Sequence, residues 1–170
     1  MKLHNQVIVS LRDMLLIDGK KIVDVENNIE EVLPEWISKI SSKILKEELE
    51  HYLSDIRSHQ KEMKDCEKND SSIPDEYNSR IVKAYLDEAN DKLSACADAK
   101  IFDAYLIYAI QAINHYKINI YGTLATYADS LGQQKTAEIY HKAMLDEKVS
   151  DMRLSNIAER NINVIATLTC

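Results

Sequence analysis

Three glycines and two prolines are spread through 170 residues, at Gly19, Gly122, Gly132, Pro34 and Pro74. β-Sandwiches and barrels turn every eight to twelve residues or so and need Gly, Pro and Asn at those turns. With so few turn residues, this chain is restricted to long helices joined by few connections. At this length one domain is expected, residues 1–170, burying roughly two-thirds of its unfolded surface.

Apolar spacing places the helices. Leu11, Leu15, Ile22, Val25, Ile29, Leu33, Trp36 and Ile40 recur at helical steps and predict a first helix over residues 3–41. Gly19 and Pro34 interrupt it without breaking the stripe. Ser41 and Ser42 offer a break and an N-cap. Leu45, Leu49, Leu53, Ile56 and Met63 predict a second helix over residues 43–67. The polar run 68–75, with Pro74, is the clearest loop. A shorter helix follows over residues 75–95, carrying Ile81, Tyr85, Leu86 and Leu93. Residues 100–131 are apolar nearly all round, as in a helix packed on several sides. Gly132 caps that helix, and a last helix covers residues 133–161. Four long helices and one short one pack most economically as two antiparallel pairs in an all-α bundle.

Charge and cysteine content narrow the function. Lys+Arg count 21 against 28 Asp+Glu, a net charge of -7 with neutral histidine. An acidic chain without a basic stripe repels phosphate backbones, so no nucleic-acid partner is expected. No membrane span and no secretory signal is read, which predicts a cytoplasmic protein. Cys66, Cys96 and Cys170 form no metal-type or disulfide spacing and are expected as reduced thiols. There is no phosphate-binding glycine loop, no nucleophile with a nearby base and no H-E-x-x-H. Tyr105, Tyr108, Tyr116, Tyr121 and Tyr127 crowd one helix and are expected as packed aromatics with hydroxyls reaching polar partners. His4, His51 and His141 read as surface residues.

The informative residues are ionisable groups lying within apolar stripes. Glu26 falls between Ile22, Ile29 and Leu33. Glu147 shares a helical face with Tyr140, Ala143, Leu154 and Ala158, and Asp151 lies one turn on. Asp55 and His59, one turn apart, flank the second stripe. Buried carboxylates need a partner or a cation. Pairs at i and i+4 can reach one ion, and oxygen donors with one imidazole suit iron or manganese. Buried salt bridges and a solvated flank account for the same spacings.

Residues 103–124, DAYLIYAIQAINHYKINIYGTL, followed by LGQQKTAEIYHKAMLDEKVSDMRLSNIA, resemble the YciE/YciF-type ferritin-like family. The resemblance rests on His115, Tyr116, Tyr121, Gly122, Thr123 and Leu124 in the third core helix. In the fourth it rests on Asp146, Glu147, Lys148 and Asp151. It extends more loosely through Asp24-Val25-Glu26 and Leu33-Pro34. It implies a ferritin-like up-down-down-up four-helix bundle with one additional short helix, paired as a homodimer and associated with stress. It also implies a dinuclear metal site at Glu26, Asp55, His59, Glu147 and Asp151.

The third core helix departs from that pattern. Where the family carries Glu-His-Tyr-Glu, this chain has Asn114-His115-Tyr116-Lys117. Two carboxylates are gone and an ammonium has arrived, a change of about three charge units. Lys117 can then pair with Glu26, Glu147 or Asp151 where a metal would sit, while His115 could turn inward to hold a single ion. The favoured expectation is a degenerate site with no cofactor and a structural or interaction role. The rival is an iron- or manganese-binding protein with oxidase-like activity.

Overall fold

The computed structural model describes residues 8–67 and 79–167. Its helices are α1 (Leu11–Lys39), α2 (Lys43–Glu67), α3 (Arg80–Ala95), α4 (Ala99–Ser130) and α5 (Gln134–Ile157). A π-helical turn, Ala158–Ile162, and a short α6, Asn163–Ala166, complete the described chain. No strand occurs among the described residues.

Cross-helix contacts give the topology. Gln60 of α2 donates to Asn27 of α1 at 3.0 Å and Arg57 reaches Glu30 at 2.8 Å, so α2 descends beside α1. Asp103 near the start of α4 lies at the α1–α2 turn, while Tyr52 and Asn114 meet at 2.9 Å, so α4 descends alongside α2. Gln111 reaches Asp151 at 3.0 Å and Asn114 reaches the Glu147 carbonyl at 3.1 Å, so α5 rises against α4. The order is up, down, down, up. α3 carries the chain back between the two parallel helices. Its first turn is tied to α1 where the Ser79 amide donates to Asp24 at 2.6 Å, and its later part where the Trp36 indole donates to Asn90 at 2.8 Å.

Local chemistry sets the element ends. α1 begins at Leu11, not near residue 3, because Ser10 and Asp13 form a capping box. Residues 3–7 lie outside the described chain. α3 begins at Arg80 behind a Ser79 cap, with the predicted start at residue 75 outside the described residues. Pro34 is exposed and α1 continues through it. Leu131 and Gly132 end α4 in a Schellman motif: the Gln133 amide donates to the Ala128 carbonyl and the Gly132 amide to that of Asp129. Gly132 adopts φ 72°, a left-handed conformation that glycine takes without a Cβ clash. Gln133 stands outside α5 as its N-cap residue. The α-helix expected up to residue 161 gives way to the π-helical turn after Ile157.

Asp103 was missed as a structural residue. It is 1% exposed, and its carboxylate accepts from the Ser41 amide (3.1 Å), the Ser41 hydroxyl (2.6 Å) and the Ser42 amide (2.9 Å). These donors belong to the start of a helix and lack intrahelical acceptors. Asp103 thereby joins the α1–α2 turn to α4. The predicted stripes of α1 and α2 are buried, with Ile22, Val25, Ile29, Leu33, Leu45, Leu49 and Ile56 all inaccessible. On α3 Leu86 and Leu93 are buried, but Ile81 and Tyr85, expected beside them, are 49% and 42% exposed because Val82 and Ala89 take the inward positions. Of the cysteines, Cys96 is a free, partly exposed thiol. The Cys66 side chain and Cys170 fall outside what is described. Among the described residues no helix is long and apolar enough to cross a membrane.

Candidate metal centre and its ionic cluster

Four ionisable side chains meet midway along the bundle, one from each long helix. Glu26 of α1, His59 of α2, Lys117 of α4 and Glu147 of α5 are between 0% and 2% exposed. Each stands on the inward stripe of its helix, so the apolar positions that build the core also carry the charges into it. The Lys117 Nζ lies 2.9 Å from Glu26 Oε2 and 2.6 Å from Glu147 Oε1. His59 Nδ1 is 3.6 Å from both Glu26 Oε1 and Glu147 Oε1.

Two tyrosines and an amide enclose this cluster. The Lys117 ammonium donates to the Tyr52 hydroxyl at 3.1 Å and stands 4.7 Å from the centre of that ring. Tyr52 in turn donates to Asn114 Oδ1 at 2.9 Å. The Tyr121 hydroxyl donates to Glu26, and its ring lies edge-on to His59. Tyr121 follows the expectation of a packed ring with a partnered hydroxyl, whereas Tyr108 is exposed and the buried Tyr116 hydroxyl has no hydrogen-bond partner among the described residues. Tyr52 was not singled out, although its place between Leu49 and Ile56 on the second stripe was the available signal.

Burial and partner charge compete at every member. Burial opposes the Lys117 ammonium, but Glu147 and Glu26 outweigh it and hold its pKa well above the usual lysine value. Burial also raises Glu26, yet Lys117, His59 and the Tyr121 hydrogen bond bring its carboxyl below the ordinary range. At Glu147 burial prevails over Lys117, and the pKa rises to about 7. Burial disfavours the His59 cation, but Glu26 reverses the effect and raises its pKa. Burial and the neighbouring carboxylates push Tyr52 and Tyr121 upward, so both remain neutral phenols. Lys117 and Glu26 cancel. A single proton on either His59 or Glu147 would leave the whole set neutral.

Ligand-type atoms of Glu26, His59 and Glu147 lie within 4.8 Å of one another and could hold an ion. The other expected site residues fall elsewhere. Asp55 is partly exposed and pairs with His51 at 3.0 Å. Asp151 faces α4's outer flank, where Gln111 donates to it at 3.0 Å and His115 Nε2 stands 3.2 Å away. His115 is 68% exposed and does not turn inward. A step of four residues advances a helix by more than a full turn, about 400°, so each i+4 neighbour rotates off the central line. Asn114 is fully buried and links Tyr52 to the Glu147 carbonyl. Asp146, one residue before Glu147, reaches His59 Nε2 at 3.2 Å from the solvent side.

An up-down-down-up bundle with carboxylates and an imidazole on its axis is a ferritin-like architecture. The chain belongs to the family described as domain of unknown function DUF892, matched over residues 10–167, which confirms the YciE/YciF-type resemblance. It is 34% identical over 104 residues to the protein YciF of Escherichia coli K12, a match covering 57% of this chain and 63% of that relative. The chain thus matches under two-thirds of that relative's length. Two solved structures share the fold at a TM-score of 0.83. YcfI of Rhodopseudomonas palustris, provisionally described as a structural protein, is 24% identical and aligns over 90% of this chain and 98% of its own. The E. coli stress protein YciF is 23% identical in its crystal structure and aligns over 92% and 99%.

Proposed function

We propose that this chain is a non-enzymatic ferritin-like bundle in which the Lys117 ammonium takes the place of a metal centre, serving a structural or interaction role in stress physiology. The observation that carries this reading is the position of Lys117 Nζ, 2.6 Å from Glu147 and 2.9 Å from Glu26. Two buried carboxylates need compensating positive charge, and a protein-borne cation supplies it as an ion would.

The donor set does not fit a dinuclear centre. In ferritin-like di-iron proteins one Glu from each of two helices joins a Glu-x-x-His pair from each of the other two. Here Glu26, His59 and Glu147 are suitable donors. Three residues before His59 stands Ile56, and three after Glu147 stands Ser150, both buried. The α4 contribution is an ammonium. Two divalent ions would meet too few anionic oxygens and a fixed positive charge at contact distance. The descriptions of the E. coli and Rhodopseudomonas relatives, a stress protein and a provisional structural protein, accord with this role.

The three-donor cluster supports a second reading, a mononuclear iron or manganese site with oxidase-like activity. Metal analysis of protein purified without chelator, then reloaded with iron(II) or manganese(II), separates the two. Substoichiometric metal before and after loading is expected. Stoichiometric binding abolished by Glu147→Gln would overturn the lysine reading.

A further inference from the structure

Lys117 Nζ and the Glu147 carboxyl are an amine and an acid in contact, carried by two different helices and sealed inside the bundle. Nζ stands 2.6 Å from Glu147 Oε1 and 2.9 Å from Glu26 Oε2, and none of the three side chains is more than 1% exposed. We propose that this pair is the site of a self-catalysed modification: Lys117 and Glu147 condense to an intramolecular amide that joins α4 to α5, with Glu26 carrying the protons. The proposal rests on the reading of Lys117 as the occupant of the centre and gives its structural role a covalent form.

The step balances without any outside reagent. Nζ gives up two protons, which Glu26 Oε2 takes from it in turn. The Nζ lone pair forms a bond to Glu147 Cδ, the Cδ–Oε1 bond breaks, and Oε1 leaves as water with those two protons. Oε2 becomes the amide oxygen, and Glu26 ends as a carboxylate again. Ligand-type atoms of Glu26 and Glu147 lie within 4.8 Å of one another, so the protons have a short path. His59 Nδ1, 3.6 Å from Oε1, faces the charge that gathers on the departing oxygen.

Three observations carry this. An amine in contact with a carboxyl oxygen is about 3–3.5 Å from the carboxyl carbon, the range from which attack begins. Glu147 Oε2 has no hydrogen-bond partner among the described residues, so the carboxyl can turn its face to Nζ without losing a bond. Tyr52 and Tyr121 are buried against the cluster and keep bulk water from the product. Condensation also removes two opposite charges from the core and leaves a neutral amide in their place. Well-oriented groups have effective molarities of about 10⁵–10⁸ M, which favours the closed bond over hydrolysis. The two carboxylates hold the Nζ protons firmly, so the ion pair is the form of the freshly folded chain and the amide accumulates slowly.

Intact-mass spectrometry of the full chain, kept folded at neutral pH and sampled over time, tests the proposal. A population lighter by one water molecule should grow in the folded chain and not in urea. Its tryptic digest should contain a branched peptide linking Lys117 to Glu147. Lys117→Arg should abolish the product, and Glu26→Gln should slow its formation by about a hundredfold or more, as expected on removing a proton carrier. An unchanged mass in the native chain would overturn the proposal, whether or not the variants fold, and would leave Lys117 standing as the cation of the centre. Water loss that persists in Lys117→Arg or in urea would overturn it too. Stoichiometric metal binding abolished by Glu147→Gln would overturn both readings together.

Discussion

Lys117 of α4 and Glu147 of α5 meet with 2.6 Å between Nζ and Oε1, and neither side chain is more than 1% exposed. An ion pair so enclosed is costly to form from water and far costlier to break on one side. It joins α4 to α5, and the second contact of Lys117 brings α1 into the same network.

Removing the cation should therefore be severe. Lys117→Met leaves Glu26 and Glu147 facing each other in an apolar core and should destabilise the protein by about 3–5 kcal/mol. Adding Glu147→Gln to that variant should recover a large part of the loss, because the remaining carboxylate keeps His59 and Tyr121 as partners. Urea denaturation of the single and double variants gives the comparison. Equal stability of Lys117→Met and the native chain would show that the ammonium carries no stabilising role.

Stability should also depend on pH across the neutral range. Glu147 has a folded pKa of about 7 against an ordinary value of 4.5, and His59 is raised above 6.5. Both retain protons in the folded chain that the unfolded chain releases, so their contribution is complete below the unfolded values and lost as pH rises through the folded ones. Glu26 acts oppositely: its lowered pKa contributes above 4.5 and is lost as pH falls. A maximum at about pH 4.5 follows, with decline from there through neutrality as Glu147 and then His59 lose their contributions. Denaturation midpoints from pH 4 to pH 8, roughly the span over which these groups titrate, should trace it, and Glu147→Gln should flatten the neutral limb. A flat native profile there would contradict this assignment.

Restoring carboxylates to α4 should create metal affinity. Asn114→Glu with Lys117→Glu removes the ammonium and adds two anionic donors beside Glu26, His59 and Glu147. Iron(II) or manganese(II) should then bind to this variant, read by elemental analysis after gel filtration, and should raise its melting temperature. A folded double variant that takes up no metal would mean that the surrounding shell, and not Lys117 alone, prevents binding.

Asp103 offers a test of the fold apart from the cluster. Asp103→Ala strips three donors at the α1–α2 turn of their acceptor and should cost about 2–4 kcal/mol. Asp103→Asn keeps an acceptor oxygen but not the charge, and should cost less. Thermal unfolding of the two variants ranks them, and the reverse order would rule out the capping role.

Much of the bundle was legible in one dimension because helices repeat locally. The three-to-four-residue apolar step marks the buried side of each helix, and Gly132 marks the end of α4 through backbone freedom alone. Glu26 and Glu147 stood out for the same reason, as charges on apolar stripes. Element ends were less legible: Ser10 and Ser79 cap helices that periodicity alone would start earlier. Asp55, Asp151 and His115 show the limit of i and i+4 reasoning. Spacing places them near a face, but the rotation of a neighbouring helix decides whether they reach its centre.

The sequence by itself thus determined helices, stripes and the unusual presence of Lys117 where a carboxylate was expected. Only the tertiary structure decided that Lys117 lies between Glu26 and Glu147, that Tyr52 and Tyr121 close the cluster, and that His59 faces both the core and Asp146 on the solvent side. Those relations join residues from four helices far apart in the chain. Periodicity is a property of one helix, whereas a charge in a low-dielectric core is governed by whichever groups the packing brings within a few ångströms.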